Sequence, residues 1–224
     1  MALILNIETS TTMCSVSLAD KGELISCKEL DNGYTHAENL HVFINDLLIQ
    51  EKVIPSQLDA VAVGSGPGSY TGLRIGVSTA KGLAFSLNKP LLSVNTLKTM
   101  AMAVKEKANN EMLLCPMLDA RRMEVYCAFF DFDLNEVRET SAQIITEENL
   151  NFFAQSKPLV FFGDGMPKCK SLLQNLPGAL FIDNISPSSK QLAKLSYQQY
   201  LDKNFEDVAY FEPFYLKDFM IGPK

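Results

Sequence analysis

The stretch "AVGSGPGSYTGLRIGVSTAKG" (residues 62–82) decides which fold the sequence indicates, and it holds half of the 12 glycines. An apolar run at residues 58–65 has the length and composition of a buried strand, and residues 71–88 show helical spacing. Gly66-Pro67-Gly68 lies between them and predicts a tight turn. The sequence therefore predicts a strand that passes through a glycine turn directly into a helix.

A phosphate cradle is one interpretation of this turn. The Walker A pattern is absent because no Gly-Lys-Ser/Thr occurs, and the dinucleotide pattern fails at the gap between Gly68 and Gly72. Ser69 or Thr71 can cap the helix, and the amides of its first turn can bind an anion. Two interpretations follow, a capped strand-to-helix connection or an anion site.

Small residues recur every fourth position along the predicted helix and therefore share one of its faces. They are Gly72, Gly76, Ala80 and Ala84. A glycine inside a helix costs about 0.8–1 kcal/mol relative to alanine, which predicts that something approaches this backbone closely. The approaching group is either the sheet beneath the helix or another helix, including one from a partner chain. The residues that flank this ridge are Leu73, Arg74 and Val77.

The predicted elements occur in the order strand-strand-strand-helix-strand-helix-strand-helix, and this order is found twice. The predicted strands of the first half are residues 3–8, 14–20, 23–30, 58–65 and 90–95, with helices at 36–52, 71–88 and 96–108. In the second half the strands are residues 112–120, 124–132, 136–144, 158–165 and 179–183, with helices at 146–155, 166–176 and 186–203. The repeat predicts two α/β lobes, residues 1–105 and 106–224, with a cleft between them.

Composition excludes several classes of protein. The net charge of −6 disfavours a free-standing nucleic-acid binder, which needs clustered lysine and arginine. No apolar run approaches a membrane span, and Glu8 comes too early for a secretory signal. The 5 cysteines contain no C-x-x-C pair, which favours buried thiols over disulfides or zinc. We therefore expect a soluble, cytoplasmic protein.

No convincing catalytic set is present. His36 and His41 are five residues apart, so a helix turns them onto different faces and a shared metal ion is not expected. The segment "DARRMEVY" (residues 119–126) is either an active-site turn at the mouth of the cleft or a charged hairpin. The hydroxyl-rich turn "ETSTT" (residues 8–12) can contact phosphate, but no Ser/His/Asp grouping accompanies it.

Taken together, these segments resemble the TsaB family, also called YeaZ, over nearly the whole chain. The most specific similarity is the glycine stretch, extended as "GSGPGSYTGLRIGVSTAKGLA". The other similar segments are "LNIETSTTMCSVSL", "GYTHAENLHVFINDLL", "DARRMEVY" and "FEPFYLKD". The resemblance implies a two-lobed actin/sugar-kinase/Hsp70-like (ribonuclease H-like) fold, in which each lobe is a mixed sheet with flanking helices.

The resemblance also implies a non-catalytic scaffold in the formation of N6-threonylcarbamoyladenosine at position 37 of ANN-decoding tRNAs. The implied partners are the paralogue TsaD, which carries the metal, the nucleotide and the chemistry, and the ATPase TsaE. tRNA is expected to bind only through this complex. Any ATP or ADP is expected in the assembled complex, with no cofactor assigned to this chain.

Matched positions support a non-catalytic role. The paralogue's metal motif Val-Asn-His-x-x-x-His corresponds to "VNTLKTM", which places Thr96 and Met100 where the two histidines would stand. Neither side chain is a ligand for a hard metal ion. Glu8 replaces the family's usual aspartate at the first turn, which weakens the case for a nucleotide site. His41 and Val42 stand where Leu-Pro is usual.

By resemblance, the helix after the glycine turn and the helix that begins at His36 form the face that docks TsaD in a helical bundle. Without TsaD, the same face is expected to form a homodimer. The expected interface residues are His36, Leu40, Phe43, Leu47, Tyr70, Gly72, Leu73, Arg74, Gly76, Val77 and Ala80. Two alternatives stay open: a nucleotide-responsive binding module, or a glycoprotease-like hydrolase or small-molecule kinase that acts alone.

Overall fold

A computed structural model describes residues 2–33, 35–153 and 156–217 of the chain. The chain divides into two compact units, residues 1–96 with 187–224 and residues 97–186. This division differs from the sequence-based one at residue 105 because the C-terminal part of the chain returns to the first unit. There the last helix packs against the first sheet.

The first unit is built on a five-stranded mixed sheet with the order β3-β2-β1-β4-β5. Its antiparallel strands are β1 (Leu3–Glu8), β2 (Met13–Asp20) and β3 (Glu23–Asp31). The strands β4 (Ala60–Gly66) and β5 (Leu91–Asn95) join β1 in parallel. Lys21 and Gly22 both have positive φ, at 51° and 80°, and form the tight hairpin predicted between β2 and β3.

Helices cover both faces of this sheet. The helices α1 (His36–Gln50) and α2 (Tyr70–Leu87) contact each other and share one apolar core with the sheet. The helix α5 (Ser189–Leu201) packs on the other face, where Leu192 lies among Ile4, Ala62 and Leu92. Leu5 belongs to the first core and Ile4 to the second, because neighbouring strand residues point to opposite faces.

The second unit repeats this topology with the order β8-β7-β6-β9-β10. Its strands are β6 (Leu113–Asp119), β7 (Glu124–Phe130), β8 (Glu136–Ile144), β9 (Leu159–Phe162) and β10 (Leu180–Ile182). β6 pairs antiparallel with β7 and parallel with β9. The helix α4 (Met166–Leu173) packs on this sheet, and α3 (Thr96–Val104) begins at the boundary between the two units.

The predicted element order is confirmed, with one change of helix type. Residues 147–153 form a 3₁₀-helix, whereas the sequence predicted a helix at 146–155 without naming its type. Ala154 and Gln155 of that prediction lie outside the described residues. Four of the free cysteines are buried and Cys27 is half-buried, in agreement with the expected buried thiols. Across the described ranges, no helix has the length and apolar character that crossing a membrane requires.

Candidate functional site

The turn between β1 and β2 lies directly against the glycine stretch. A Cβ atom on Gly64 would overlap the carboxyl group of Glu8, and one on Gly68 would overlap the carbonyl oxygen of Ser10. The amide of Ser69 donates a hydrogen bond to the same Ser10 carbonyl at 2.6 Å. These glycines are therefore required by close contact with a neighbouring turn of the same chain.

The ridge on α2 has the same explanation. Cβ atoms on Gly72 and Gly76 would overlap the carbonyl oxygen and the Oγ1 of Thr9, respectively. The Thr9 hydroxyl donates a hydrogen bond to the Gly72 carbonyl at 2.8 Å. The close approach on this ridge is thus made by Thr9, which directly follows β1, and this favours the alternative in which the helix packs against its own sheet.

The start of α2 matches the capped connection expected from the sequence. Ser69 is the N-cap residue, and its Oγ accepts a hydrogen bond from the amide of Gly72 at 3.3 Å. Since Ser69 and Gly72 donate their amides within the chain, neither amide is free for a ligand. The turn therefore acts as a packed connection between β4 and α2.

Glu8, the last residue of β1, is completely buried, and its carboxyl group lies against Gly64 of β4. Its Oε1 accepts a hydrogen bond from the amide of Ser10 at 2.8 Å, and within the described ranges its Oε2 has no partner. Burial raises the pKa of the Glu8 carboxyl, and its hydrogen bonds with Ser10 and Thr9 only partly oppose that rise. Burial therefore favours the protonated form of this carboxyl, which also accepts a hydrogen bond from its own turn.

The two histidines lie on different faces of α1, as their spacing predicts. His36 is buried, and its Nε2 lies 2.7 Å from the carbonyl oxygen of Thr11, whereas His41 is exposed. Burial lowers the pKa of His36, which keeps the imidazole neutral. In the portion of the chain that the structure covers, no three His, Cys, Asp or Glu side chains form a group suited to a metal ion.

Thr96 and Met100, at the matched positions of the paralogue's metal histidines, are both buried. The Thr96 Oγ1 accepts a hydrogen bond from the amide of Gly66 at 3.2 Å. The Met100 methyl group packs so closely against Gly163 that a Cβ there would lie 2.6 Å away. Both side chains are therefore committed to packing within the chain.

The segment "DARRMEVY" forms the connection between β6 and β7, as its hairpin interpretation predicts. Arg121 and Arg122 occupy the tip with φ values of 70° and 51°. Lys168 pairs with the Asp119 carboxylate and donates a hydrogen bond to the carbonyl oxygen of Glu124 at 2.7 Å. This contact ties the base of the hairpin to α4.

Most of the predicted interface residues have side chains that are buried inside the first unit. Arg74 is exposed, whereas Phe43 and Tyr70 are half-buried. The buried members are His36, Leu40, Leu47, Gly72, Leu73, Gly76, Val77 and Ala80. The predicted helices are therefore in place, these eight residues lie on their core-facing side, and the interface itself stays a prediction.

On the opposite side of α2, which we call the outward face, the sequence prediction named only Arg74. This face consists of Thr71, Arg74, Ser78, Gly82 and Phe85, all of them exposed and spaced three or four residues apart. Phe85 is 80% exposed, and within the described part of the chain a Cβ on Gly82 would meet no atom within 4 Å. On the neighbouring α1, Val42 and Ile49 are 52% and 67% exposed. Phe85 among polar and small residues was the available sequence signal.

Comparison with known proteins assigns the family. The family model described as "TsaD: tRNA N6-adenosine threonylcarbamoyltransferase" matches residues 33–220. The "tRNA threonylcarbamoyladenosine biosynthesis protein TsaB" of Haemophilus influenzae is 31% identical, over 96% of this chain and 93% of its own length. The chain belongs to the TsaB family. The recognition made from the glycine stretch is thereby confirmed.

Solved structures confirm the fold class of this TsaB-family chain. YeaZ from Pseudomonas aeruginosa is 25% identical, with a TM-score of 0.82 over 96% of this chain and all of the other. Component A of (R)-2-hydroxyglutaryl-CoA dehydratase from Acidaminococcus fermentans is only 8% identical, with a TM-score of 0.52 over 91% of this chain and 98% of its own. That second likeness concerns the fold alone, which is the actin/sugar-kinase/Hsp70-like class expected from the sequence.

Proposed function

We propose that the chain is a non-catalytic subunit in tRNA threonylcarbamoyladenosine formation. It docks a TsaD-type threonylcarbamoyltransferase through the outward face of α2 and the exposed side chains of α1. Family membership supports the pathway, since the Haemophilus influenzae relative is named for it. The expected target is position 37 of ANN-decoding tRNAs. TsaE joins the assembled complex, and tRNA binds only there.

The observation that carries the docking surface is the pairing of Gly82 with Phe85. A glycine inside a helix costs about 0.8–1 kcal/mol relative to alanine, and no described residue requires Gly82 in the way that Thr9 requires Gly76. A large aromatic ring that is 80% exposed beside such a glycine is typical of a helix that packs closely against another helix. The neighbouring helix α1 also carries two exposed apolar side chains, Val42 and Ile49.

The non-catalytic role is supported by how the polar groups near the glycine turn are used. The Thr9 hydroxyl donates to the Gly72 carbonyl and the Glu8 Oε1 accepts from the Ser10 amide, so both are engaged within the protein, whereas the Glu8 Oε2 and the Ser10 Oγ have no partner among the described residues. Thr96 stands where the paralogue has a metal-binding histidine, and its hydroxyl accepts a hydrogen bond from the amide of Gly66. The chemistry is therefore assigned to the TsaD-type partner, and any nucleotide to the assembled complex.

Size-exclusion chromatography with light scattering tests this proposal. The chain is mixed with its cognate TsaD, with and without TsaE and ATP, and each protein is run alone. We expect a stable heterocomplex that displaces any homodimer of the lone chain. Separate elution under all conditions, or ATP hydrolysis by the lone chain, would contradict the proposal.

Gly82→Leu locates the surface, because it adds a bulky side chain on the outward face without touching the core. The variant should remain folded and lose most of its affinity for TsaD, about tenfold or more. Ser171→Leu, at an exposed position of α4, adds the same side chain elsewhere and should bind normally. Equal affinities for both variants would place docking on another surface.

A further inference from the structure

The C-terminal segment (residues 206–217) lies against the first unit beside α2. Near its start, the amide of Glu206 donates a hydrogen bond to the carbonyl oxygen of Leu91 at 2.9 Å. Near its end, the amide of Phe214 donates to the carbonyl oxygen of Ser65 at 2.8 Å. The segment is therefore attached both to the beginning of β5 and to the end of β4.

Further contacts hold this segment along the flank of α2. The Lys81 ammonium donates hydrogen bonds to the carbonyl oxygens of Ala209 and Phe211, at 3.2 and 2.7 Å. The side chains of Val208 and Phe211 pack against the apolar core that α1 and α2 share. These contacts hold the C-terminal segment against the first unit as far as Phe214, and the next residue is Tyr215.

That residue, Tyr215, contacts the first turn of α2. Its ring lies 4.9 Å from the ring of Tyr70, measured between centroids. The guanidinium carbon of Arg74 lies 4.1 Å from the centroid of the Tyr70 ring, and the Arg74 Nε donates a hydrogen bond to the Tyr215 hydroxyl at 3.3 Å. Two tyrosines, one from α2 and one from the C-terminal segment, therefore fix the guanidinium.

The remaining edge of this guanidinium is available. Across the described ranges of the chain, Arg74 forms no ion pair within 4.0 Å, and neither Nη atom donates a hydrogen bond. Glu212 attracts Arg74 electrostatically, without an ion pair or a hydrogen bond between them. An exposed arginine normally loses much side-chain freedom when it binds, and the tyrosine contacts have already removed part of that freedom. Arg74 is thus preorganised to accept a planar anion on its free edge.

We propose that the C-terminal segment completes the docking surface by holding Arg74 for a bidentate contact with a carboxylate of the TsaD-type partner. This inference rests on the proposed function. A protein carboxylate fits better than a phosphate backbone, since Arg74 lies on the outward face with Gly82 and the exposed Phe85. The chain's net charge of −6 also opposes the approach of a polyanion. Tyr215 is then a positioning residue that acts through Arg74.

A double-mutant cycle tests this coupling, with affinity for cognate TsaD measured by isothermal titration calorimetry. Arg74→Ala should weaken binding about tenfold or more, and Tyr215→Phe about three- to tenfold, since it keeps the ring and removes only the hydroxyl. In the Arg74→Ala background, Tyr215→Phe should change affinity by less than about twofold. Tyr210→Phe removes a hydroxyl from a tyrosine that is 83% exposed on the same segment, and it should bind as the wild type does.

Reconstituted tRNA modification gives a second readout. The variants should raise the concentration of this chain that gives half-maximal rate, and the rate at saturation should be unchanged. A general loss of structure would instead lower both the rate and the folded fraction. Arg74→Lys keeps the charge but loses the planar fork, so it should rescue only part of the affinity.

The outcomes separate the two proposals. Failure of the wild-type chain to bind TsaD would overturn the proposed function and the docking surface with it. Normal wild-type binding with additive effects of Tyr215→Phe and Arg74→Ala would overturn only the coupling through Arg74. A loss of tRNA retention by the complex, with TsaD affinity unchanged, would identify phosphate as the anion and overturn the assignment of a carboxylate.

Discussion

The inward and outward faces of α2 use glycine for opposite reasons. On the inward face, Gly72 and Gly76 leave room for Thr9, and the same chain fills the space. On the outward face, Gly82 leaves room that none of the residues described by the structure fills. A helical glycine therefore indicates a close approach, but only its surroundings tell whether the approaching group belongs to the fold or to a partner.

The largest effect is expected from Gly76→Ala, which tests whether Thr9 requires a glycine on the inward face of α2. The added methyl group would overlap the Thr9 Oγ1, so either Thr9 gives up its hydrogen bond to Gly72 or the helix moves away from the turn. We expect a loss of about 2–4 kcal/mol in the free energy of unfolding, measured by urea denaturation.

Thr9→Ala provides the control, because it removes the overlapping atom. The double variant Thr9→Ala/Gly76→Ala should lose less stability than the sum of the two single variants, by at least about 1 kcal/mol. Additive losses would show that Thr9 is not the group that requires glycine at residue 76.

An intermediate, pH-dependent effect is expected from Glu8, the carboxyl beneath the inward face. Because its pKa is raised in the folded protein, the folded state binds a proton more tightly than the unfolded state does above the ordinary value of 4.5. The contribution of Glu8 to stability is therefore greatest below that pH and is lost as pH rises toward the folded pKa, with a slope of at most about 1.4 kcal/mol per pH unit.

Glu8→Gln removes this dependence while keeping an oxygen that accepts from Ser10. The stability difference between the variant and the wild type, followed by urea denaturation from pH 4.5 to 8, isolates Glu8 from His36. The lowered pKa of His36 acts in the other direction, so its contribution is lost as pH falls below its ordinary value of 6.5. A constant difference across this range would contradict the raised pKa of Glu8.

The smallest effect is expected from Gly82→Ala. Since a Cβ at this position meets no atom of the described residues within 4 Å, the methyl group should cause no strain and should favour the helix. We expect a gain of about 0.5–1 kcal/mol in the free energy of unfolding of the isolated chain. A loss of stability would mean that the outward face is not open at Gly82, and thermal denaturation followed by circular dichroism decides between the two signs.

The sequence predicted the element order and the repeated α/β topology, because strand and helix periodicities are local signals. It placed Gly72, Gly76, Ala80 and Ala84 on one face correctly. It did not show which way that face points, because the flanking residues include the apolar Leu73 and Val77 as well as the charged Arg74. Thr9 is 63 residues from Gly72 in the chain, and no local pattern reveals such a contact.

The return of the chain to the first unit escaped prediction for the same reason. Ser189 contacts Ser15 across 174 residues, and the hydroxyl-to-hydroxyl distance is 2.6 Å. The hydrogen bond between Arg74 of α2 and Tyr215 likewise joins residues that are 141 positions apart in the chain. Contacts of this kind depend on tertiary packing, so helix and strand propensities carry no information about them.

Hydroxyl-radical footprinting of Phe85, in the lone chain and in a mixture with cognate TsaD, tests the central claim most directly. Phe85 is 80% exposed in the chain, and docking through the outward face predicts a fall of about fivefold or more in its modification rate in the complex. Leu180, which is 44% exposed in the second unit, serves as the internal reference and should keep its rate. An unchanged rate at Phe85 in a complex that light scattering shows to be formed would contradict docking through this face.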